Sequence, residues 1–202
     1  LVRRSYVCRM TSVLRFGAIS GIFAGLFIAL PSAFEALAGE TTATSVALGL
    51  SPALAIPLVV GLHLGQLRAS GRVSTAGFAV NLIGLGLFGG AGYTLNLVLF
   101  PIEEVIAVDD LAGISRIALL FSALVFSIGV VLFGLSMVRA RVYPKIPAVA
   151  YILAFPLIAL LAPLPDNPLI SATHVVAGIA VVWLSAALHE TARATIPDQV
   201  AV

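Results

Sequence analysis

Apolar residues run along this chain in six long blocks, with neither the strict alternation of a half-buried strand nor the narrow stripe of a surface helix. The blocks cover Phe16 to Ala38, Val46 to Leu67, Thr75 to Phe100, Ile114 to Val138, Ile146 to Leu164 and Leu169 to Leu188. A helix rising 1.5 Å per residue needs about 20 apolar residues to cross a bilayer core about 30 Å thick. The pattern therefore predicts an all-α fold: a polytopic transmembrane bundle of six spans, forming one integral membrane domain over residues 1–202. Short polar connections leave no room for a soluble catalytic domain or a nucleic-acid-binding one.

Charge sets the orientation. Arg3, Arg4, Arg9 and Arg15 precede the first block, Arg68 and Arg72 follow the second, Arg139, Arg141 and Lys145 lie between the fourth and fifth, and Arg193 follows the sixth. Glu40, Glu103, Glu104, Asp109, Asp110 and Asp166 fall in the other connections, together with a single cation, Arg116. The positive-inside rule then places both termini in the cytoplasm and the protein in the cell membrane as a multi-pass protein. Composition agrees: 10% of residues are charged, against roughly 25% in soluble domains, and 60% are hydrophobic. The partner implied is the lipid bilayer, and nothing points to nucleic acid.

The first block has a second reading. Arg15, the apolar stretch, Pro31 and the "ALA" of Ala36 to Ala38 before Gly39 resemble a signal peptide with a small-residue cleavage site, which would leave five spans. The block is long enough to cross, and the expectation is an uncleaved first span; Met10 is an alternative start to Leu1.

Helices in lipid associate through small residues that let backbones approach. Gly17, Gly21 and Gly25, four apart, make such a stripe, a contact surface for another helix or for a second copy of the chain in a homodimer. At 100° per residue Ser32 and Glu35 project near it. In the third block Asn81, Leu85, Phe88, Gly92 and Asn96 share a face, and its two amides require partners inside the bundle.

Ionisable and polar residues inside a membrane are functional candidates. Glu35, one turn from the outer end of the first span, suits a proton or cation site or an interfacial carboxylate reaching water. His63 lies one turn inside the second span, with Gln66 beyond it; His174 and His189 lie at opposite ends of the sixth. Haem held by two histidines requires matching depth, which only His63 and His189 offer. The segment from Pro101 to Arg116 reads as a solvated outer loop with Arg116 paired to Asp109 or Asp110. No GxSxG, HExxH or phosphate-cradling motif occurs, and the single cysteine, Cys8, has no metal-ligand neighbours. The expectation is no catalytic residue, no metal and no cofactor.

Two stretches, "LAIPL" at Leu54 to Leu58 and "LAFPL" at Leu153 to Leu157, place Pro57 and Pro156 inside the second and fifth spans. A pair of proline-bent helices at corresponding places of two inverted halves is a pointer to a transport site. The match does not extend to the other helix pairs, and such a pentapeptide recurs by chance in a chain rich in Leu and Ala.

The stretch "VLFGLSMVRARVYPKIPAVAYILA", Val131 to Ala154, resembles the conserved-hypothetical multi-span proteins of actinobacteria and haloarchaea, in which one helix ends in an arginine-valine-proline turn and the next follows at once. The resemblance implies a small bacterial inner-membrane protein and no catalytic residues. Three functional readings follow, in order. The first is a non-enzymatic ligand-binding or structural bundle. The second is a small-solute or ion transporter centred on Pro57 and Pro156 with Glu35, Asn81 and Asn96 nearby. The third is a haem or redox protein using His63 and His189.

Overall fold

The structure is a computed structural model that describes residues 2–100, 113–162 and 167–194, with side chains from residue 10 onward. The described residues form six α-helices: α1 (Val2–Ala38), α2 (Thr42–Gln66), α3 (Arg72–Tyr93), α4 (Gly113–Ala140), α5 (Lys145–Leu161) and α6 (Pro168–Ala194). A π-helical turn, Thr94–Leu99, continues α3. Five helical stretches are long and apolar enough to cross a membrane, and α5, with 17 residues, is shorter.

Boundaries follow local chemistry. α2 starts four residues before its apolar block because Thr41 and Thr44 cap it reciprocally, Thr41 Oγ1 accepting from the Thr44 N–H and Thr44 Oγ1 from the Thr41 N–H. Between α1 and α2, Gly39 takes a positive φ of 82°, which glycine adopts without strain. Between α4 and α5, Arg141 takes a φ of 55°, a helix-ending position that glycine usually fills. Pro144 then opens α5.

Each helix packs on its neighbours in sequence, and α6 returns to α1, closing a six-membered ring. The contacts run antiparallel. Gly17 lies against Pro57 and Gly61 and Gly21 against Leu58; Gly77, Asn81 and Gly84 lie against Leu132, Gly129 and Phe126. The up-and-down order gathers Arg15, Arg68, Arg72, Arg139, Arg141, Lys145 and Arg193 at one end, the basic end, while Glu35, Glu40 and Arg116 lie at the other.

The outer surface is apolar, and the core mixes apolar side chains with polar ones. Phe16, Leu30, Ile83, Ile117, Leu120 and Leu153 face outward, each more than half exposed, whereas Gln66, Asn81, Ser45 and Ser185 are fully buried. Large side chains clothe the outside and small ones sit at the crossings, as expected where lipid is the solvent.

The glycine stripe of α1 needs a correction. Gly17, Gly21 and Gly25 are buried under α2 and α6 of the same chain, and Gly25 meets Gly178 backbone to backbone. The close approach that such a stripe permits is used within the bundle, so these glycines present no face to a second copy. Because α1 covers both α2 and α6, a cleavage after Ala38 would strip a wall from the ring.

Candidate functional site

Three helices bring their polar side chains to one seam. On α3 the spacing Ser74, Phe78, Asn81 keeps one face of the helix, and that face meets Ser136, Phe133 and Gly129 in reverse order on α4. α2 closes the seam with Gln66 and His63, one turn apart.

The layer nearest the basic end is a polar triad. Gln66 Nε2 donates to Ser136 Oγ at 3.0 Å and to Ser74 Oγ at 3.3 Å, and the two serine hydroxyls are 3.2 Å apart. The next layer is aromatic. His63 stacks on Phe78 with ring centroids 4.2 Å apart and planes 6° from parallel, and Phe133 closes on both rings at 6.4 and 6.1 Å. In the third layer Asn81 Nδ2 donates to Tyr151 Oη of α5 at 2.9 Å. Its backbone lies so close to Gly129 that a Cβ there would collide with it. Beyond it the seam is shut by rings: Phe88 stacks on Phe126 at 5.0 Å, and Phe155 meets Phe126 edge-on at 6.0 Å.

Gln66 and Asn81 are fully buried and His63 is 7% exposed, yet Gln66 Oε1, Asn81 Oδ1 and His63 Nδ1 have no hydrogen-bond partner within the protein. A buried polar atom left unsatisfied costs about 1–3 kcal/mol, so three in one seam are a large expense for a bundle that needs them only for packing.

Other residues singled out in the sequence fall elsewhere. Glu35 is half-buried in the last turn of α1 beside the buried Ser32, and its carbonyl accepts from the Gly39 N–H at 3.0 Å. Asn96 does not share a site with Asn81. The π-helical turn re-aims it, its Nδ2 donates to the Gly92 carbonyl at 2.8 Å, and it lies against Gly49 of α2. Pro57 and Pro156 are also apart: α2 packs between α1 and α3, and α5 between α4 and α6, so the two proline-containing helices lie across the ring from each other and enclose no site. Near Pro57 α2 is tied to α1, where Ser20 Oγ donates to the Leu54 carbonyl at 2.6 Å.

His63 and His189 are not brought together either. Gly61 and Gly65 of α2 face Leu188 of α6, and His63, two residues from each, points the opposite way, into α3 and α4. His174 Nδ1 pairs with the Ile170 carbonyl on its own helix. Among the described residues no group of three or more His, Cys, Asp or Glu side chains gathers. The acidic loop, Glu103, Glu104, Asp109 and Asp110, lies outside the described residues. An open groove of about 350 Å³ between α1 and α2, lined by Phe23, Phe27, Leu50, Ala53 and Leu54, is wholly apolar and offers a polar ligand nothing.

Ser74 had no signal in the sequence beyond its spacing of seven residues from Asn81, just ahead of the third apolar block, and Ser136 and Tyr151 had none beyond being polar residues inside apolar blocks. Gln66 was legible as the residue one turn after His63. Comparison with family models, with curated proteins and with solved structures finds no match to the chain.

Proposed function

We propose that this membrane protein crosses the cytoplasmic membrane six times with both ends inside, and binds a small polar ligand in the α2–α3–α4 seam without covalent chemistry. One observation carries the reading: three side chains more than nine-tenths buried, in consecutive layers, each hold a polar atom that no protein group satisfies. Two facts support six spans: after Lys145 α5 carries no charged residue, and it occupies a full place in the ring between α4 and α6. The basic end supports the orientation, since cations collect on the cytoplasmic side. The resemblance of Val131 to Ala154 to small bacterial inner-membrane proteins belongs to the same reading.

Cysteine accessibility tests it. In a Cys8→Ser background, Ser74→Cys, Ser136→Cys and, as a buried control, Leu184→Cys are exposed to a small uncharged thiol reagent in proteoliposomes, and a fluorescent reporter fused to the C-terminus reports its side. Labelling of the two seam positions is expected, with Leu184→Cys inert and the reporter on the cytoplasmic side. Seam positions as inert as Leu184→Cys would leave a purely structural seam.

A further inference from the structure

The three unsatisfied atoms belong to successive layers of one seam. Gln66 and His63 are one turn apart on α2, and Asn81 lies two turns along α3 from Ser74, the serine that accepts from Gln66. Seven residues of helix put the Ser74 and Asn81 layers about 10 Å apart. The seam begins in the last turn of α2, beside the connection at the basic end, and ends where Phe88, Phe126 and Phe155 fill the bundle.

The chemistry of its occupant follows from the chemistry of its walls. The NH2 groups of Gln66 and Asn81 are engaged, so each amide presents an oxygen that needs a donor, while the free imidazole nitrogen of His63 donates or accepts according to tautomer. A partner that serves all three positions donates at the two amides, and one that also accepts meets either tautomer of His63. It must be small, because Phe78 and Phe133 close on His63 from two sides. It must be neutral, because the serine, phenol, amide, imidazole and phenyl groups around it include no fixed charge to offset another in a low-dielectric interior. Buried waters in proteins meet that description, each bonding to two to four polar groups that lack other partners.

We infer that the seam holds a file of small neutral molecules that both donate and accept hydrogen bonds, water foremost, received at Gln66, His63 and Asn81, entered from the basic end and stopped at the phenyl rings. This rests on the binding reading above and names the class of its ligand.

Water-edited solid-state NMR of the full-length, isotopically labelled protein in lipid bilayers tests it. The side-chain amides of Gln66 and Asn81 are expected to receive polarisation from water at the rate of the exposed Asn167, and the signals of the fully buried Leu184 far more slowly. Asn81→Leu should remove its own transfer and leave that of Gln66 intact. Added urea distinguishes the occupants. A shift of the His63 ring signals shows that other neutral solutes enter, and no shift with fast water transfer shows that the file is water itself. Transfer to both amides as slow as to Leu184, with no urea response, overturns the inference. If Ser74→Cys and Ser136→Cys nevertheless label, the binding reading survives and only the ligand class is wrong.

Discussion

Asn81 on α3 and Tyr151 on α5 are joined by a 2.9 Å hydrogen bond across 70 residues of sequence, with both side chains buried inside the ring. A hydrogen bond between membrane helices contributes about 0.6 kcal/mol on average, whereas a buried polar group stripped of its partner costs about 1–3 kcal/mol. The loss therefore falls mainly on the survivor. Tyr151→Phe is expected to destabilise the bundle by about 1–2 kcal/mol by this reasoning, and adding Asn81→Leu to recover most of it. Unfolding of the four proteins of this cycle in detergent measures the difference; a double variant less stable than Tyr151→Phe would contradict it.

Gly129 sits where α3 and α4 cross, with the Asn81 backbone against it, and Gly86, on the outer face of α3, has open space where a Cβ would go. Gly129→Ala must push two helices apart and is expected to cost about 1–3 kcal/mol or more. Gly86→Ala should be neutral or stabilising by up to about 1 kcal/mol, since alanine loses less freedom in a helix. The opposite ranking in thermal unfolding would refute the crossing geometry.

Tyr143, in the turn between α4 and α5, is 3% exposed and donates through Oη to the Leu62 carbonyl at 3.0 Å, seated over Gly65. Burial disfavours the phenolate and raises this phenol well above its ordinary value near 10. The folded-state pKa exceeds the unfolded one, so its contribution is complete below about pH 10 and falls away as pH climbs towards the raised value. Tyr143→Phe should lower stability by about 1 kcal/mol at neutral pH and reduce the alkaline loss. A variant whose stability declines above pH 10 as steeply as the parent would show that Tyr143 is not responsible.

Arg141 holds a left-handed conformation that a side chain adopts at a cost of roughly 1–2 kcal/mol. Arg141→Gly is expected to relieve about 1 kcal/mol of this, while Arg141→Val, branched at Cβ, should destabilise the turn. Melting temperatures of the two variants should move in opposite directions; a shift in the same direction would mean that the arginine's charge, and not its backbone, governs this site.

Helix positions and the antiparallel order were legible because each depends on composition within one segment: blocks of about 20 apolar residues, prolines and small polar residues between them, and cations at alternate connections. His63, Gln66 and Asn81 were visible as polar residues inside apolar blocks, each anomalous by itself. Gly17, Gly21 and Gly25 were readable as a packing surface, although not as one that α2 and α6 of the same chain would cover.

Segment composition alone carried the class of fold, the approximate place of each helix and the polar residues that are costly to bury, because propensity and transfer from water act locally, while α1 and α2 begin ahead of their apolar blocks, at Val2 and Thr42. Only the tertiary structure decided that Asn81 finds Tyr151 and not Asn96, that Pro57 and Pro156 stand across the ring, and that His63 turns from His189 towards Phe78. In lipid one apolar helix face resembles another, so neighbours are selected by backbone approach at glycines such as Gly129 and Gly178 and by the few polar groups needing partners. Both depend on two helices at once.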